Sequence, residues 1–264
     1  MPGSPPFCAI RDQLVGGGKN RAYDGAMARS WAPRADAGAE PVRDGVRALA
    51  ISNLAVTYGR VAAVHDVSFE VAEGDCVALI GPNGNGKSSI VMGIAGLVQR
   101  RGRVEIFGRL APAHDVAFMP RHGFTLVPER RQLYPQLSVA DNIVLGCFSR
   151  TRSLRRARSS EAHRQALELF PELSDRMAQK AGTLSGGEQQ MVAIARGLAA
   201  DPRILAVDEP CLGLAETVGR RVYEALRRIH ESGRTLLIVE ESPARALQLA
   251  TRQVEVRNGV VVRA

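Results

Sequence analysis

Apolar and polar positions alternate along ALAISNLAVTY (48–58), break at Gly59, and alternate again through VAAVHDVSFEVAEGD (61–75). A period of two marks strands buried on one face, and the turn residues at Gly59-Arg60 and Glu73-Gly74-Asp75 join them as antiparallel neighbours. Cys76-Val77-Ala78-Leu79-Ile80 is different: a short continuous apolar run, as in a central strand covered on both sides. It leads directly into GPNGNGKSS (81–89) and a helix-like SSIVMGIAGLV (88–98). GRVEIFGRL (102–110) predicts a further strand pair. Residues 136–185 read mainly as helix, with helical apolar spacing in EAHRQALELF. Two more buried strands are expected at 203–207 and 235–239, each after a helix. Such alternation predicts an α/β fold with a largely parallel sheet beside an antiparallel portion.

Residues 1–46 lack this order. They are rich in Gly, Pro and Ala (PGSPP, VGGGK, WAPRADAGAEP) and hold the single tryptophan, Trp31. They read as a disordered or loosely packed tail, or as the product of a start assigned upstream of Met27. The rest, 47–264, reads as one domain.

Composition changes this picture little. With 264 residues, 45% hydrophobic and 23% charged, the chain is an ordinary soluble globular protein. A net charge of +8 permits an anionic partner of any class without choosing one. Cys8, Cys76, Cys147 and Cys211 are scattered, which argues against a zinc site or a disulfide framework. No apolar run approaches the roughly 18 residues that span a bilayer, and Phe7-Cys8-Ala9-Ile10 is too short for the core of a secretory signal.

The candidate chemistry starts from an oddity: among 35 basic residues only Lys19, Lys87 and Lys180 are lysines. Lys87 lies in Gly81-Pro82-Asn83-Gly84-Asn85-Gly86-Lys87-Ser88-Ser89, which fits the phosphate-binding pattern G-x-x-x-x-G-K-[ST]. The expected flanks are present, a strand before and a helix after. Glycines let backbone N–H groups approach phosphate oxygens, and the helix adds its positive end. A lysine ammonium is a compact charge suited to the space between the β- and γ-phosphates, where the arginine fork is too broad. Ser88 would offer its hydroxyl to Mg²⁺.

Further along, Leu184-Ser185-Gly186-Gly187-Glu188-Gln189-Gln190 precedes MVAIARGLAADPRILAVDEP. These stretches resemble the signature and Walker B motifs of ATP-binding subunits of ABC transporters. That resemblance implies a P-loop cassette with a RecA-like core, an antiparallel β subdomain and a helical subdomain at about 136–185. It implies that Ser185, Gly186, Gly187 and Glu188 meet the γ-phosphate of ATP held by a second ATP-binding subunit. Asp208 would orient Mg²⁺ and Glu209 would polarise the attacking water. Tyr58 takes the place of the aromatic that stacks on adenine.

LVPERRQLYPQLSVADNI, ELFPEL, AGTLSGGEQQM and DEPCLGLAE resemble, more narrowly, the second ATPase subunit of branched-chain amino-acid importers and the similar urea importer subunit. Glu129 stands where many relatives have Gln, and the resemblance places it among the catalytic and metal-facing residues. Ala215 replaces the usual Asp after Walker B. Glu241 replaces the switch histidine, and a carboxylate there repels phosphate unless protonated or paired. Arg130 and Asn85 also depart from the usual pattern.

The implied partners are permease subunits, a second cassette and, indirectly, a periplasmic or extracellular solute-binding protein. The implied location is the cytoplasmic face of the inner membrane, held peripherally. Glu241 keeps open a nucleotide-binding regulator with little turnover. A soluble ABC ATPase acting on DNA or ribosomes is the third reading, but no nucleic-acid motif supports it. The cluster Arg150, Arg152, Arg155, Arg156 and Arg158 reads as a solvated face, with lipid headgroup contact the sharper alternative.

Overall fold

A computed structural model describes residues 46–263, apart from 114 and 152. The tail expected at 1–46 therefore lies, but for Val46, outside the described residues.

The antiparallel expectation holds at the start of the domain. β1 (Arg47–Tyr58) and β2 (Val61–Ala72) pair with Ile51 opposite Phe69, Leu54 opposite Val67 and Val56 opposite Val64. One face of the pair is therefore apolar. β3 (Cys76–Ile80) is buried at every position and passes into α1 (Lys87–Ile94). β4 (Arg100–Ile106) and β5 (Arg109–Leu110) complete a four-stranded sheet in the order β2-β1-β4-β5.

The rest of the chain runs α2 (Phe118–Arg121), β6 (Phe124–Val127), α3 (Val139–Gly146), α4 (Leu154–Arg158), α5 (Glu161–Glu168), α6 (Gly186–Ala199), β7 (Ile204–Asp208), α7 (Glu216–Glu231), β8 (Thr235–Glu240), α8 (Pro243–Ala246), β9 (Arg252–Arg257) and β10 (Val260–Arg263). A six-stranded sheet has the order β10-β9-β3-β8-β7-β6. All its pairings are parallel except the β9–β10 hairpin at one edge.

Two apolar cores flank this sheet. Leu54, Val56, Ile90, Ile94 and Leu79 pack between the sheets, while Ile143, Leu198, Val207, Leu226 and Ile238 pack under the helices. Because β3 side chains alternate, Val77 and Leu79 enter the first core and Ala78 and Ile80 the second.

Several details differ from the sequence reading. α1 is shorter than expected, ending where Gly96 takes a left-handed φ of 73°. Residues 136–185 are less helical than expected: three short α-helices, the first running into a 3₁₀ turn at Cys147–Ser149, are followed by 3₁₀ turns at Pro171–Arg176 and Ala181–Thr183. Each of those three helices begins at a serine, Ser138, Ser153 or Ser160, whose hydroxyl accepts a backbone N–H. Frequent serine caps and Pro171 divide the segment. β6, β9, β10, α2 and α8 have no counterpart in the expected elements.

α7 buries Val222, Tyr223, Leu226 and Ile229 along one stripe, yet its N-cap position is Ala215, which offers no side-chain acceptor. An aspartate there would accept a free N–H and complement the helix dipole. Ala215→Asp is expected to raise unfolding stability by about 1 kcal/mol, read as a higher urea midpoint at unchanged slope; an unchanged or lower midpoint would contradict the cap analysis.

Candidate functional site

The phosphate-binding loop is built by close backbone approach. Gly81 has φ 148°, and a Cβ on it would lie 2.1 Å from the Val256 carbonyl oxygen of β9. Gly86, at φ 92°, would meet the Ala63 carbonyl oxygen at 2.5 Å. Only glycine fits at either place. Asn85 ties the loop to the β9–β10 turn. Its carbonyl accepts from Gly259 N–H at 3.0 Å and its Oδ1 from Asn258 N–H at 2.6 Å. Its Nδ2 donates to the carbonyls of Pro82 at 3.1 Å and Asn83 at 3.3 Å. The residue that breaks the small-residue pattern is thus a brace for the loop.

Lys87 is buried, with 4% of its surface exposed. Its ammonium donates to the Gly81 carbonyl at 2.7 Å, with longer contacts to Pro82 O at 3.2 Å and Asn83 Oδ1 at 3.4 Å. It also stands 3.5 Å from Glu209 Oε1. That separation makes an ion pair too long for a good charge-assisted hydrogen bond, and Glu209 Oε1 has no hydrogen-bond partner among the described residues. Ser88 Oγ donates to Asp208 Oδ1 at 3.1 Å. Residues 120 positions apart therefore meet at the C-terminal ends of β3 and β7, where open parallel sheets place their sites.

Glu209 follows β7 in a left-handed conformation, φ 47°, fixed by its N–H donating to Val239 O at 3.0 Å. Non-glycine residues rarely hold that conformation unless the surroundings impose it. Burial pushes the Glu209 carboxyl up to about 7; the neighbouring Glu240 adds to this and Lys87 opposes it. Burial likewise pushes Asp208 up to about 6, with the Ser88 hydroxyl pulling it back and Glu129 raising it. Glu240, 1% exposed, accepts from Tyr223 OH at 2.7 Å and lies 3.8 Å from Arg245.

Ser88 and Asp208 supply hard oxygen donors, which suit Mg²⁺, a cation that keeps waters and substrate oxygens in its shell. No cluster of three or more His, Cys, Asp or Glu among the described residues could hold a metal alone. That fits a cation bound jointly with a phosphate group rather than in an all-protein cage. Glu129 is exposed on the loop after β6, near enough for its charge to act on Asp208.

Glu241 faces the loop and accepts from Asn83 Nδ2 at 2.9 Å, while Asn83 Oδ1 takes the Lys87 contact. The acid at the switch position is therefore held by a neutral amide, and no ion pair among the described residues offsets its charge. Tyr58 is 45% exposed, with its hydroxyl 3.4 Å from Ser89 Oγ beside α1. Its ring is available for stacking.

The signature residues stand apart from this cluster. Ser185 caps α6: its hydroxyl accepts from Glu188 N–H at 3.3 Å. Glu188 Oε2 accepts in return from Ser185 N–H and Oγ, each at 2.8 Å. Those two hydrogen bonds from Ser185 hold the Glu188 carboxyl below its usual range, with Arg176, 2.9 Å away, contributing in the same direction. No hydrogen bond or ion pair among the described residues joins Ser185, Gly186, Gly187 or Glu188 to the phosphate loop.

Sequence reasoning missed Glu240, Tyr223 and Arg245 beneath Glu209. A carboxylate at the end of a wholly apolar strand was the only available signal. In the arginine cluster, Arg150 pairs with Asp201 and Arg158 with Asp141, while Arg155 and Arg156 are exposed. Arg152 lies outside the described residues. No helix among the described residues is long and apolar enough to cross a membrane.

Comparison with known proteins agrees with the geometry. Residues 64–212 match the ABC transporter family. BraG of Pseudomonas aeruginosa, a high-affinity branched-chain amino acid transport ATP-binding protein, is 37% identical over 215 residues, covering 81% of this chain and 91% of BraG. CysA of Mesorhizobium japonicum, a sulfate/thiosulfate import ATP-binding protein, is 36% identical over 79% of this chain and 60% of its own length. A dimeric ATP-binding cassette bound to ADP and phosphate superposes with TM-score 0.69 at 28% identity, over 81% of this chain and 97% of that one. Fold, phosphate loop and relatives converge, and the chain belongs to the ABC transporter family as an ATP-binding cassette with ATPase architecture.

Proposed function

We propose that this cassette powers a solute importer by binding and hydrolysing Mg-ATP between itself and a second cassette. The observation that carries this reading is the buried meeting of Lys87 with Glu209 and of Ser88 with Asp208, set apart from the capped signature helix. Each chain then supplies the loop half of one pocket and the signature half of the other. Lys87 and the loop N–H groups bind the β- and γ-phosphates, and Tyr58 stacks on adenine. Ser88 and Asp208 hold Mg²⁺, with Glu129 alongside; the cation neutralises charge on the transferred phosphoryl group. Glu209 accepts a proton from the attacking water, a role favoured by a carboxyl whose pKa lies near the working pH.

Branched-chain amino acids are the solute this reading favours. BraG is similar over nearly its whole length, and four separate stretches resemble its subgroup. The likeness to a sulfate/thiosulfate importer shows that cassette sequence constrains the solute only loosely. Permease subunits, a second ATP-binding subunit and an external solute-binding protein complete the machine, with this chain peripheral at the cytoplasmic face.

A second reading, a nucleotide-binding regulator with little turnover, draws on Glu241. Asn83 anchors that carboxylate without neutralising it. Steady-state ATPase measurements decide between them. Glu209→Gln is expected to lower kcat by at least about a hundredfold, and Glu241→Gln by less than tenfold. Equal rates for wild type and Glu209→Gln would instead assign turnover to the partner subunit.

The raised carboxyls also predict a pH effect in protein stripped of nucleotide and Mg²⁺. The folded chain binds protons on Asp208 and Glu209 more tightly than the unfolded chain does. Their stabilising contribution is full below the unfolded values near 4 and is lost as pH rises through about 6 and about 7. Wild type should therefore lose about 1–2 kcal/mol more stability than Glu209→Gln between pH 5.5 and 7.5. Parallel urea midpoints for the two proteins across that range would refute the assignment.

A further inference from the structure

Arg131 lies in the loop after β6 and is half-buried. Its backbone and that of Gln132 are left-handed, with φ 58° and 47°. Arg196 of α6 holds both in place, donating to Arg131 O at 2.6 Å and Gln132 O at 2.7 Å. The Arg131 side chain is anchored at one nitrogen only: Nε donates to Gln190 Oε1 at 3.0 Å. Both Nη1 and Nη2 lie 3.7 Å from where a Cβ on Gly186 would stand. Neither makes a hydrogen bond or an ion pair among the described residues. A guanidinium fork is thus aimed beside the first turn of a 14-residue helix, α6.

The fork itself brings the charge an anion would meet. Glu188 at the same helix end is matched by Arg176 at 2.9 Å, and Glu172, Asp175 and Arg221 line the cleft on the side of Ser185 and Gly187; Arg131 and the helix N-terminus add positive charge beside Gly186. Backbone and Nε are both fixed, so little freedom remains to be lost when an oxygen ligand meets the fork. A planar fork of N–H donors matches phosphate geometry.

We propose that Arg131 is a phosphate-binding residue of the composite pocket, and that its free fork takes the terminal phosphate of ATP held by the partner cassette. This rests on the two-cassette reading above. It adds a side chain from the loop after β6 to the signature half-site, so that one residue would sense both loop position and the partner's nucleotide.

Analytical ultracentrifugation of the Glu209→Gln chain with ATP tests it. Arg131→Gln in that background is expected to weaken ATP-driven dimerisation by roughly ten- to hundredfold. Arg131→Lys should recover part of the loss, and the salt dependence of dimerisation should flatten with Gln. Melting temperatures measured without nucleotide report whether the variants fold alike. If Ser185→Arg abolishes the dimer while Arg131→Gln leaves it at parental strength, the inference fails and the composite pocket stands. If Gln and Lys weaken the dimer equally and the salt slope is unchanged, Arg131 is only a loop brace and the inference is overturned. If the Glu209→Gln parent forms no ATP-dependent dimer, or Ser185→Arg dimerises as well as the parent, the composite pocket falls and takes the inference with it.

Discussion

One buried ammonium governs the site. Lys87 has three protons and four acceptors: two carbonyls, one amide oxygen and one carboxylate oxygen. The distances rank them. Gly81 O at 2.7 Å holds the ammonium firmly, while Asn83 Oδ1 at 3.4 Å and Glu209 Oε1 at 3.5 Å hold it weakly. Around this one buried cation stand Asp208, Glu209 and Glu240, all nearly inaccessible to solvent, with the half-exposed Arg245 3.8 Å from Glu240. Burying acids in this proportion to bases is unfavourable unless some are protonated or another cation arrives. The raised Asp208 and Glu209 carboxyls are the first response, and a hard divalent cation beside Ser88 and Asp208 would be the second.

The scaffold holds that unfavourable charge by fixing backbone rather than by burying more apolar surface. The phosphate loop is clamped from two sides, by β9 against Gly81 and by the β9–β10 turn against Asn85. Glu209 is fixed by a hydrogen bond to β8. Both supports come from strands of one sheet, so the loop and the acid cannot drift apart without breaking the ladder. The same logic appears at the signature helix, where Arg196 and Gln190 on α6 fix the loop that follows β6. In both places rigid helices and strands fix the groups of the site.

Much of this was legible in the sequence. β3, β7 and β8 were visible because strands buried on both faces read as unbroken apolar runs. The G-x-x-x-x-G-K-[ST] spacing marked Lys87 and Ser88, and the resemblance to Walker B marked Asp208 and Glu209. β6 was hidden because four residues, Phe124–Val127, between Gly123 and Pro128 are too few to show a period. β9 and β10 were hidden because RQVEVR and VVVR sit at the sheet edge with mixed burial. The segment 136–185 looked more helical than it is because apolar spacing does not register serine caps that restart the helix. Tyr223–Glu240, Asn83–Glu241 and Arg131–Gln190 are tertiary pairings between residues far apart in the chain, and no local pattern announces them.

The ranking of the Lys87 contacts also orders what a phosphate oxygen would displace. A new anionic acceptor competes first with the longest and weakest partners, Glu209 and Asn83, and leaves the Gly81 carbonyl bond intact. Lys87 is among the groups that hold the Glu209 carboxyl down, so losing that contact makes the carboxyl a stronger base. The Asn83 amide, freed from Lys87, still has Glu241 as its acceptor. Phosphate binding at the lysine and proton affinity at the acid are therefore linked through one shared contact.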